Sequence, residues 1–279
     1  MIQPAARTSA QTADQSSAAS RLVICGATDV GASRANNQDT FVIADLQSGD
    51  LSNPCTRKEI PLSRHGILLL VCDGMGGAAA GDVAARIAAE AIKQQLVAAG
   101  AGVARRPDAS LKSAVSGANG AVFAEAKAHP ETRGMGTTCT AAIVLPDRLF
   151  IAQVGDSRAY LLRNGRLELL TRDQTMAEQL VDSGVLRPEE VATFIYSHVL
   201  SQAVGTQSTV HPICSEVRLS SGDRILLCSD GLHGPVSAEE IARILGGAAD
   251  INAVAHGLIQ AALAAGGPDN VTVVVADCE

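Results

Sequence analysis

A continuous apolar run from Ile67 to Cys72 places the strongest constraint on the fold of this 279-residue chain. Six apolar residues without a polar break at helical spacing, followed by glycines, predict a β-strand that is buried on both faces. Asp73 stands where this strand ends, and the sequence Gly-Met-Gly-Gly follows it. We therefore expect a carboxylate held at the edge of a sheet, beside backbone that can approach a ligand closely.

The pairing of an apolar run with a carboxylate recurs along the chain. Asp156 and Asp230 follow apolar runs, whereas Asp39 and Asp269 come shortly before them. A single Asp-Gly pair after a strand is more often a simple turn, and Asp39 alone would be interpreted as a loop-capping residue. Five carboxylates at strand edges, far apart in sequence, exceed what turns require, and they indicate a common site.

Composition narrows the possible functions. Apolar residues make up 47% of the chain, enough for a substantial core, and a net charge of -7 argues against nucleic-acid binding. No apolar run approaches a membrane span, and the N-terminus lacks the apolar segment of a signal peptide. The seven scattered cysteines are typical of reduced core residues. We expect a monomeric, cytoplasmic protein with neither nucleic acid nor membrane among its partners.

The order of apolar patterns predicts an α+β fold. Strands, two helices, strands, two helices and a closing strand follow one another, and each long helix has a single apolar stripe. Turn signals at Pro146-Asp147 and Asn164-Gly165 indicate hairpins and therefore antiparallel pairing. The economical packing is a four-layer αββα sandwich, with two central antiparallel β-sheets flanked by helix pairs.

Residues 1–20 are rich in Ala, Ser, Thr and Gln without apolar periodicity, and we expect a disordered tail before a single domain at 21–279. Residues 48–64 are polar and predict a surface loop. In segment 171–209 we expect a helix from Met176 to Ser183 and a short one after Pro188. Ser237 and Asp250 are expected to cap the last two helices.

Asp73, Asp230 and Asp269 cannot be gathered inside a protein without a compensating charge. Oxygen ligands alone select hard cations, Mg²⁺ or Mn²⁺. Two such ions about 3.5–4 Å apart can activate a water molecule and hold a phosphoryl oxygen. Arg34, five residues before Asp39, is the candidate for binding phosphate through paired hydrogen bonds. The spacing alone therefore predicts a Mg²⁺- or Mn²⁺-dependent hydrolase of phosphate esters.

Six segments of the chain resemble the metal-dependent protein phosphatases of the 2C type, the PPM family. They occur in the family's order between residues 22 and 276, and six ordered motifs are far more specific than one Asp-Gly pair. The Asp-Gly-Met-Gly-Gly form is the bacterial one. The matching segments are Arg34–Asp39, Val71–Gly77, Gly134–Thr138, Val154–Arg158, Ser229–Leu232 and Asp269–Thr272.

The resemblance implies a centre of two Mn²⁺ or Mg²⁺ ions at the top of the two sheets, with Asp73 bridging the ions. Asp230 and Asp269 would complete one metal site, and the carbonyl of Gly74 would bind the other ion. Arg34 would hold the substrate phosphate, while a metal-bound water attacks phosphorus directly. The remaining implied metal ligands are Asp39 and, for a third and weaker ion, Asp156.

The implied activity is hydrolysis of phosphoserine and phosphothreonine in proteins, in opposition to a bacterial Hanks-type Ser/Thr kinase and acting on its substrates. Residues 171–209 coincide with the family's flap, a segment that faces the substrate. Two alternatives stay open. One is a non-catalytic regulator that binds a phosphoprotein, although regulators would lack one of the catalytic carboxylates. The other is a partner-switching phosphatase, although such chains usually carry a sensor domain.

The chain departs from the family pattern at three places. Gln38 stands where many relatives have Glu, which removes a negative charge near the second metal. Met75 replaces the His of eukaryotic relatives and removes an obvious general acid. Segment 194–198 lacks a frequent His-Pro-x-x-Asn pattern. Asp156 could alternatively form a structural ion pair with Arg158, and none of the six histidines is assigned a catalytic role.

Overall fold

The computed structural model describes residues 19–279 except 50, 53–55 and 248–249. Most of the predicted tail, residues 1–18, lies outside this range, as does Cys55. Ala19 is buried, and its amide donates a hydrogen bond to the carbonyl of Pro146 at 2.9 Å. The described chain therefore begins with a residue packed against the domain.

The described chain folds into strands and helices in the predicted order. The strands are β1 (Arg21–Asp29), β2 (Asp39–Asp45), β3 (Leu51–Ser52), β4 (Lys58–Pro61), β5 (Ile67–Met75), β6 (Gly136–Thr137), β7 (Cys139–Val144), β8 (Arg148–Val154), β9 (Arg158–Arg163), β10 (Arg166–Leu169), β11 (Ile213–Arg218), β12 (Arg224–Cys228) and β13 (Val271–Cys278). The helices are α1 (Gly77–Ala99), α2 (Gly102–Arg105), α3 (Pro107–Ala128), α4 (Met176–Asp182), α5 (Asp230–His233), α6 (Ala238–Leu245) and α7 (Ile251–Ala264), with short 3₁₀ turns at Pro130–Thr132 and Pro188–Thr193.

The strands form two sheets, and every pairing between named strands is antiparallel. Sheet A has the order β10-β9-β12-β13-β1-β4. Sheet B has the order β11-β8-β7-β5-β2-β3, and β6 pairs with the end of β5. The run that predicted a fully buried strand, Ile67–Cys72, lies within β5 between β2 and β7.

Three apolar clusters fill the spaces between four layers of secondary structure, which are two sheets and the helices on their outer faces. The central cluster lies between the sheets and contains residues from both, such as Leu69 of β5 and Leu227 of β12. A second cluster joins sheet B to α1 and α3, and a third joins sheet A to α6 and α7. The predicted αββα sandwich is therefore confirmed. Few aromatic rings contribute to it, so aliphatic side chains alternating along each strand fill the core.

Local signals were confirmed at several positions. Asn164 and Gly165 both have positive φ, at 51° and 75°, as a tight hairpin between β9 and β10 requires. The hydroxyl of Ser237 accepts a hydrogen bond from the amide of Glu240, and the carboxylate of Asp250 accepts one from Asn252. No helix in the described ranges is both long and apolar enough to cross a membrane.

The expectation of a plain surface loop at 48–64 is wrong. Within it, β4 pairs with β1 at the edge of sheet A, and the two-residue β3 pairs with β2 in sheet B. In β4 only Ile60 is buried, while its neighbours are charged or exposed. Because an edge strand with a single buried residue leaves almost no apolar alternation, the sequence did not reveal it.

The inter-sheet core makes a stability prediction. Leu69 has no exposed surface and packs in the central cluster, so Leu69→Ala would remove buried methyl groups and leave a cavity. We expect the free energy of unfolding to fall by about 2–5 kcal/mol in urea titrations. The control Val185→Ala, at a side chain that is 72% exposed, should change it by less than about 0.5 kcal/mol. Equal effects of the two changes would contradict the assigned core.

Candidate metal and phosphate site

One cleft collects the predicted site residues at the end of the two sheets. It has a volume of about 690 Å³, and six of the seven predicted residues line it. Asp39 does not line the cleft; the residue is half-buried, and its Oδ1 atom is buried. The lining residues from the prediction are Arg34, Asp73, Gly74, Asp156, Asp230 and Asp269.

Asp39 and Asp73 face each other across β2 and β5, where they are direct partners in the register. Like charges placed opposite one another on neighbouring strands are destabilising. The Oδ2 atom of Asp39 accepts a hydrogen bond of 2.7 Å from the hydroxyl of Ser229, but its Oδ1 atom is buried without a hydrogen-bond partner. Burial is the main reason that the pKa of Asp39 is raised to about 7.

The backbone of Asp73 is fixed by two threonines that follow the Gly134–Gly136 segment. The amide of Asp73 donates to the Thr138 hydroxyl at 2.9 Å, and the carbonyl of Asp73 accepts from the Thr137 hydroxyl and the Thr138 amide, each at 2.8 Å. Burial and then the charges of Asp39 and Asp230 raise the pKa of Asp73 well above its usual range. Its carboxyl group therefore needs a proton or a cation as partner.

Gly74 has no room for a side chain. A Cβ atom there would lie 2.0 Å from the carbonyl oxygen of Gly81 in α1. The reverse approach is also tight, because a Cβ atom on Gly81 would lie 2.7 Å from the carbonyl oxygen of Gly74. The glycines that follow Asp73 thus let the start of α1 pack directly on the end of β5.

Asp230 stands at the first position of α5, and Ser229 separates it from the end of β12. Its Oδ1 atom is buried without a hydrogen-bond partner, and burial followed by the charge of Asp269 raises its pKa. Ser229, the preceding residue, uses its hydroxyl both to donate to Asp39 and to accept from the amide of Thr272 at 3.0 Å. Ser229 therefore ties sheet A to the carboxylate of sheet B.

Arg34 reaches the cleft from the loop between β1 and β2. Its Nη2 atom lies 2.7 Å from Oδ2 of Asp269, and its side chain is 54% exposed. Asn270 holds this loop in place: its side chain accepts from the amide of Gln38 and donates to the carbonyls of Val30 and Asn36. The guanidinium is thus positioned at the cleft with surface left for a ligand.

Asp156 joins the cleft from the turn after β8. The predicted alternative, an ion pair with Arg158, is wrong, because Arg158 instead pairs with Asp173 at 2.7 Å. Burial and then the charge of Asp230 raise the pKa of Asp156 to about 7. An imidazole nitrogen of His233 lies 3.0 Å from the carbonyl oxygen of Asp156 and fixes the turn.

The donor set fits hard divalent cations. Among the described residues, no three His, Cys, Asp or Glu side chains stand as a ready-made metal-binding group. Two buried carboxylate oxygens nevertheless have no hydrogen-bond partner, and the gathered carboxylates face one guanidinium. Such groups stay neutral or take a cation, and carboxylate and carbonyl oxygens are ligands that Mg²⁺ and Mn²⁺ accept.

Sequence reasoning missed four residues of the site. Ser229, Asn270 and Thr138 all lie inside motifs that the sequence displays, but hydrogen bonds between distant segments cannot be inferred from those motifs alone. His198 comes from segment 171–209 and lines the cleft. The family resemblance had already implied that segment 171–209 faces the substrate, but no local pattern singled out His198 within it.

Comparisons with known proteins identify the family of the chain. The family model described as protein phosphatase 2C matches residues 60–263. The chain is 42% identical over 218 residues to the serine/threonine protein phosphatase PstP of Mycobacterium tuberculosis, covering 75% of this chain and 40% of PstP. It is 33% identical over 211 residues to the serine/threonine phosphatase stp of Listeria welshimeri, covering 75% of this chain and 84% of that protein.

A solved structure is also similar. The catalytic domain of PstP in complex with two manganese ions has a TM-score of 0.74 and 38% identity, covering 92% of this chain and 98% of that one. The chain belongs to the protein phosphatase 2C family, which confirms the resemblance seen in the sequence. It spans 40% of the length of full PstP.

The raised pKa values predict how stability depends on pH without metal. The pKa of Asp39 and Asp156 is about 7 in the folded protein, against about 3.9 when unfolded. The folded state then binds more protons, so these groups lose stabilisation as pH rises through about 7. His233, whose pKa is lowered to about 4 by burial, opposes part of the loss. In EDTA we expect the free energy of unfolding to fall by about 2 kcal/mol between pH 6 and pH 8.

Urea titrations at both pH values check this expectation. Asp156→Asn removes one of the titrating groups and should flatten the dependence. Adding Mn²⁺ at pH 8 should restore the lost stability, because a cation binds the ionised carboxylates. A metal-free stability that rises between pH 6 and pH 8 would show that the carboxylates are not held in this environment.

Proposed function

We propose that this protein is a metal-dependent serine/threonine protein phosphatase, which hydrolyses phosphoserine and phosphothreonine in proteins. The observation that carries the proposal is the convergence of Asp73, Asp230 and Asp269 with Arg34 in one cleft. The family and the relatives described as serine/threonine phosphatases support the same reaction.

The metal ligands would be Asp73 between two ions, Asp230 and Asp269 on one side, and the Gly74 carbonyl on the other. Asp39 would be a further metal ligand, and Asp156 would hold a third, weaker ion. When bound, two Mn²⁺ or Mg²⁺ ions would lower the pKa of a water molecule and stabilise charge on the phosphoryl group. The two manganese ions in the PstP catalytic domain support this assignment.

Arg34 would bind the phosphate group of the substrate. Its guanidinium carries several N–H donors in one plane, which suits paired hydrogen bonds to phosphoryl oxygens. The side chain is half exposed and already anchored by Asp269, so one edge of the guanidinium can meet the substrate without a large loss of side-chain entropy. Arg34 would thus orient the phosphorus toward the carboxylates.

The natural partners would be phosphoproteins and a bacterial Ser/Thr kinase whose products this enzyme dephosphorylates. The relatives' described activity supports this class of partner. A monomeric state, a cytoplasmic location and the choice of Mn²⁺ or Mg²⁺ stay predictions. The alternative of a non-catalytic regulator is weaker, because Asp73, Asp230 and Asp269 all line the cleft.

Replacing one proposed metal ligand tests the function. We expect the wild-type protein to hydrolyse a phosphothreonine peptide with Mn²⁺ or Mg²⁺ but not in EDTA. Asp230→Asn should lower kcat/KM by at least about 100-fold. Replacing a residue that only hydrogen-bonds to a metal ligand already lowers metal affinity or activity by about 10–100-fold, and Asp230 would be a ligand itself. Asp147→Asn, at an exposed carboxylate outside the cleft, should retain full activity. A folded wild-type protein that is inactive with both metals would favour the regulator.

Arg34→Lys tests phosphate binding separately. Lysine keeps the positive charge but loses the planar set of donors, so KM for the phosphopeptide should rise about tenfold or more. Steady-state kinetics with saturating Mn²⁺ measure the change. Arg243→Lys, at an exposed arginine on α6, is the matched control and should leave KM unchanged. An unchanged KM in Arg34→Lys would remove Arg34 from the phosphate site.

A further inference from the structure

Segment 171–209 forms part of the cleft wall. His198, Val199 and Leu200 line the cleft together with the carboxylates and Arg34. His198 is exposed, so its imidazole is accessible to a bound substrate. This wall is formed by residues that the proposed metal and phosphate contacts do not use.

The backbone around His198 is fixed by hydrogen bonds on both sides. The amide of Val199 donates to the carbonyl of Tyr196 at 3.1 Å, and the carbonyl of Val199 accepts from the amide of Met176 at 2.7 Å. The amide of Ser201 donates to the carbonyl of Gln174 at 2.8 Å. These bonds fix the backbone next to His198 and so define where this residue lies in the cleft lining.

Among the other side chains that the structure describes in the cleft lining, none is an obvious proton donor for a leaving oxygen. Met75, which lines the cleft beside Gly74, carries no transferable proton. The carboxylates are assigned to cations and are then ionised, while an arginine does not give up its proton in proteins. His198 is the only imidazole in the part of the cleft lining that the structure describes.

The electrostatics agree with this placement. Burial is the strongest influence that raises the pKa of Asp230. Positive charge on the His198 imidazole is one of the influences that lower it. His198 is therefore near enough to the centre of the cleft for its charge to matter there. An imidazolium can donate a proton near neutral pH, and positioned histidines commonly act as general acids.

We propose that His198 is the general acid of the reaction and protonates the serine or threonine oxygen as it leaves. The inference rests on the proposed phosphatase function. As the bond from the attacking water oxygen to phosphorus forms, the bond from phosphorus to the ester oxygen breaks and its electron pair stays on that oxygen. The ester oxygen takes the imidazolium proton, the attacking water releases its own proton to solvent, and the neutral imidazole is protonated again from solvent.

The leaving group distinguishes this role from simple binding. Threonine leaves as a strongly basic alkoxide that needs a proton, whereas p-nitrophenolate leaves readily without one. With saturating Mn²⁺, His198→Asn should lower kcat for a phosphothreonine peptide by about 100-fold, the lower end of typical general-acid effects. Its KM for the peptide and its kcat for p-nitrophenyl phosphate should stay close to wild type.

His256→Asn is the matched control, because His256 is an exposed histidine on α7 away from the cleft and should leave both substrates unaffected. Thermal unfolding should confirm that both variants are folded. An equal loss with both substrates, a change in KM alone, or full activity of His198→Asn would each overturn the inference. If the wild-type protein hydrolyses neither substrate, the proposed phosphatase function itself fails. If the wild-type protein and His198→Asn hydrolyse the peptide equally well, only the role of His198 fails.

Discussion

The opposition of Asp39 and Asp73 across two neighbouring strands is the constraint on which the rest of the site depends. Two carboxylates that face each other on paired strands repel one another, and partial burial costs them part of their hydration. Hydrogen bonds relieve only part of this cost, since Oδ1 of Asp39 remains without a donor. A fold that retains such a pair needs protons or cations between the groups. The raised pKa values and the proposed metal binding are two consequences of the same geometry.

The four-layer architecture makes this arrangement possible because it brings two independent sheets to one edge. Sheet B supplies Asp39 and Asp73, while sheet A supplies the turns that carry Asp230 and Asp269. Ser229 joins the two sets with a single hydroxyl. The carboxylates thus keep their spacing only while the aliphatic cluster between the sheets holds both in register. The core and the site are therefore coupled. A substitution that disturbs the packing between the sheets should displace the carboxylates of the site.

The sequence predicted the sandwich and the convergence of carboxylates because both arise from short-range patterns. Apolar runs that end in Asp, such as Ile67–Asp73, carry the strand and its ligand in the same few residues. The edge strand β4 escaped prediction because one buried residue, Ile60, gives no periodicity. The ion-pair partner of Arg158 was also predicted wrongly. Asp156 is only two residues away in sequence, but the guanidinium of Arg158 pairs with Asp173. His198 depends on how a long segment returns to the cleft, which no local pattern encodes.

Gln38 shows how one residue can change the balance between carboxylate repulsion and cation binding while the backbone of the site stays the same. Its carbonyl accepts a hydrogen bond from the amide of Gly74, so its backbone is part of the scaffold regardless of its side chain. A Cβ atom on Gly81 would lie 2.8 Å from the Gln38 side-chain carbon, which places that side chain at the tight junction of β5 and α1. A glutamate here would add a further negative charge near Asp39 and Asp73. The neutral amide lowers the repulsion that the carboxylates of the metal-free fold must bear, and by the same electrostatic argument it would weaken the attraction for the second cation of the proposed pair.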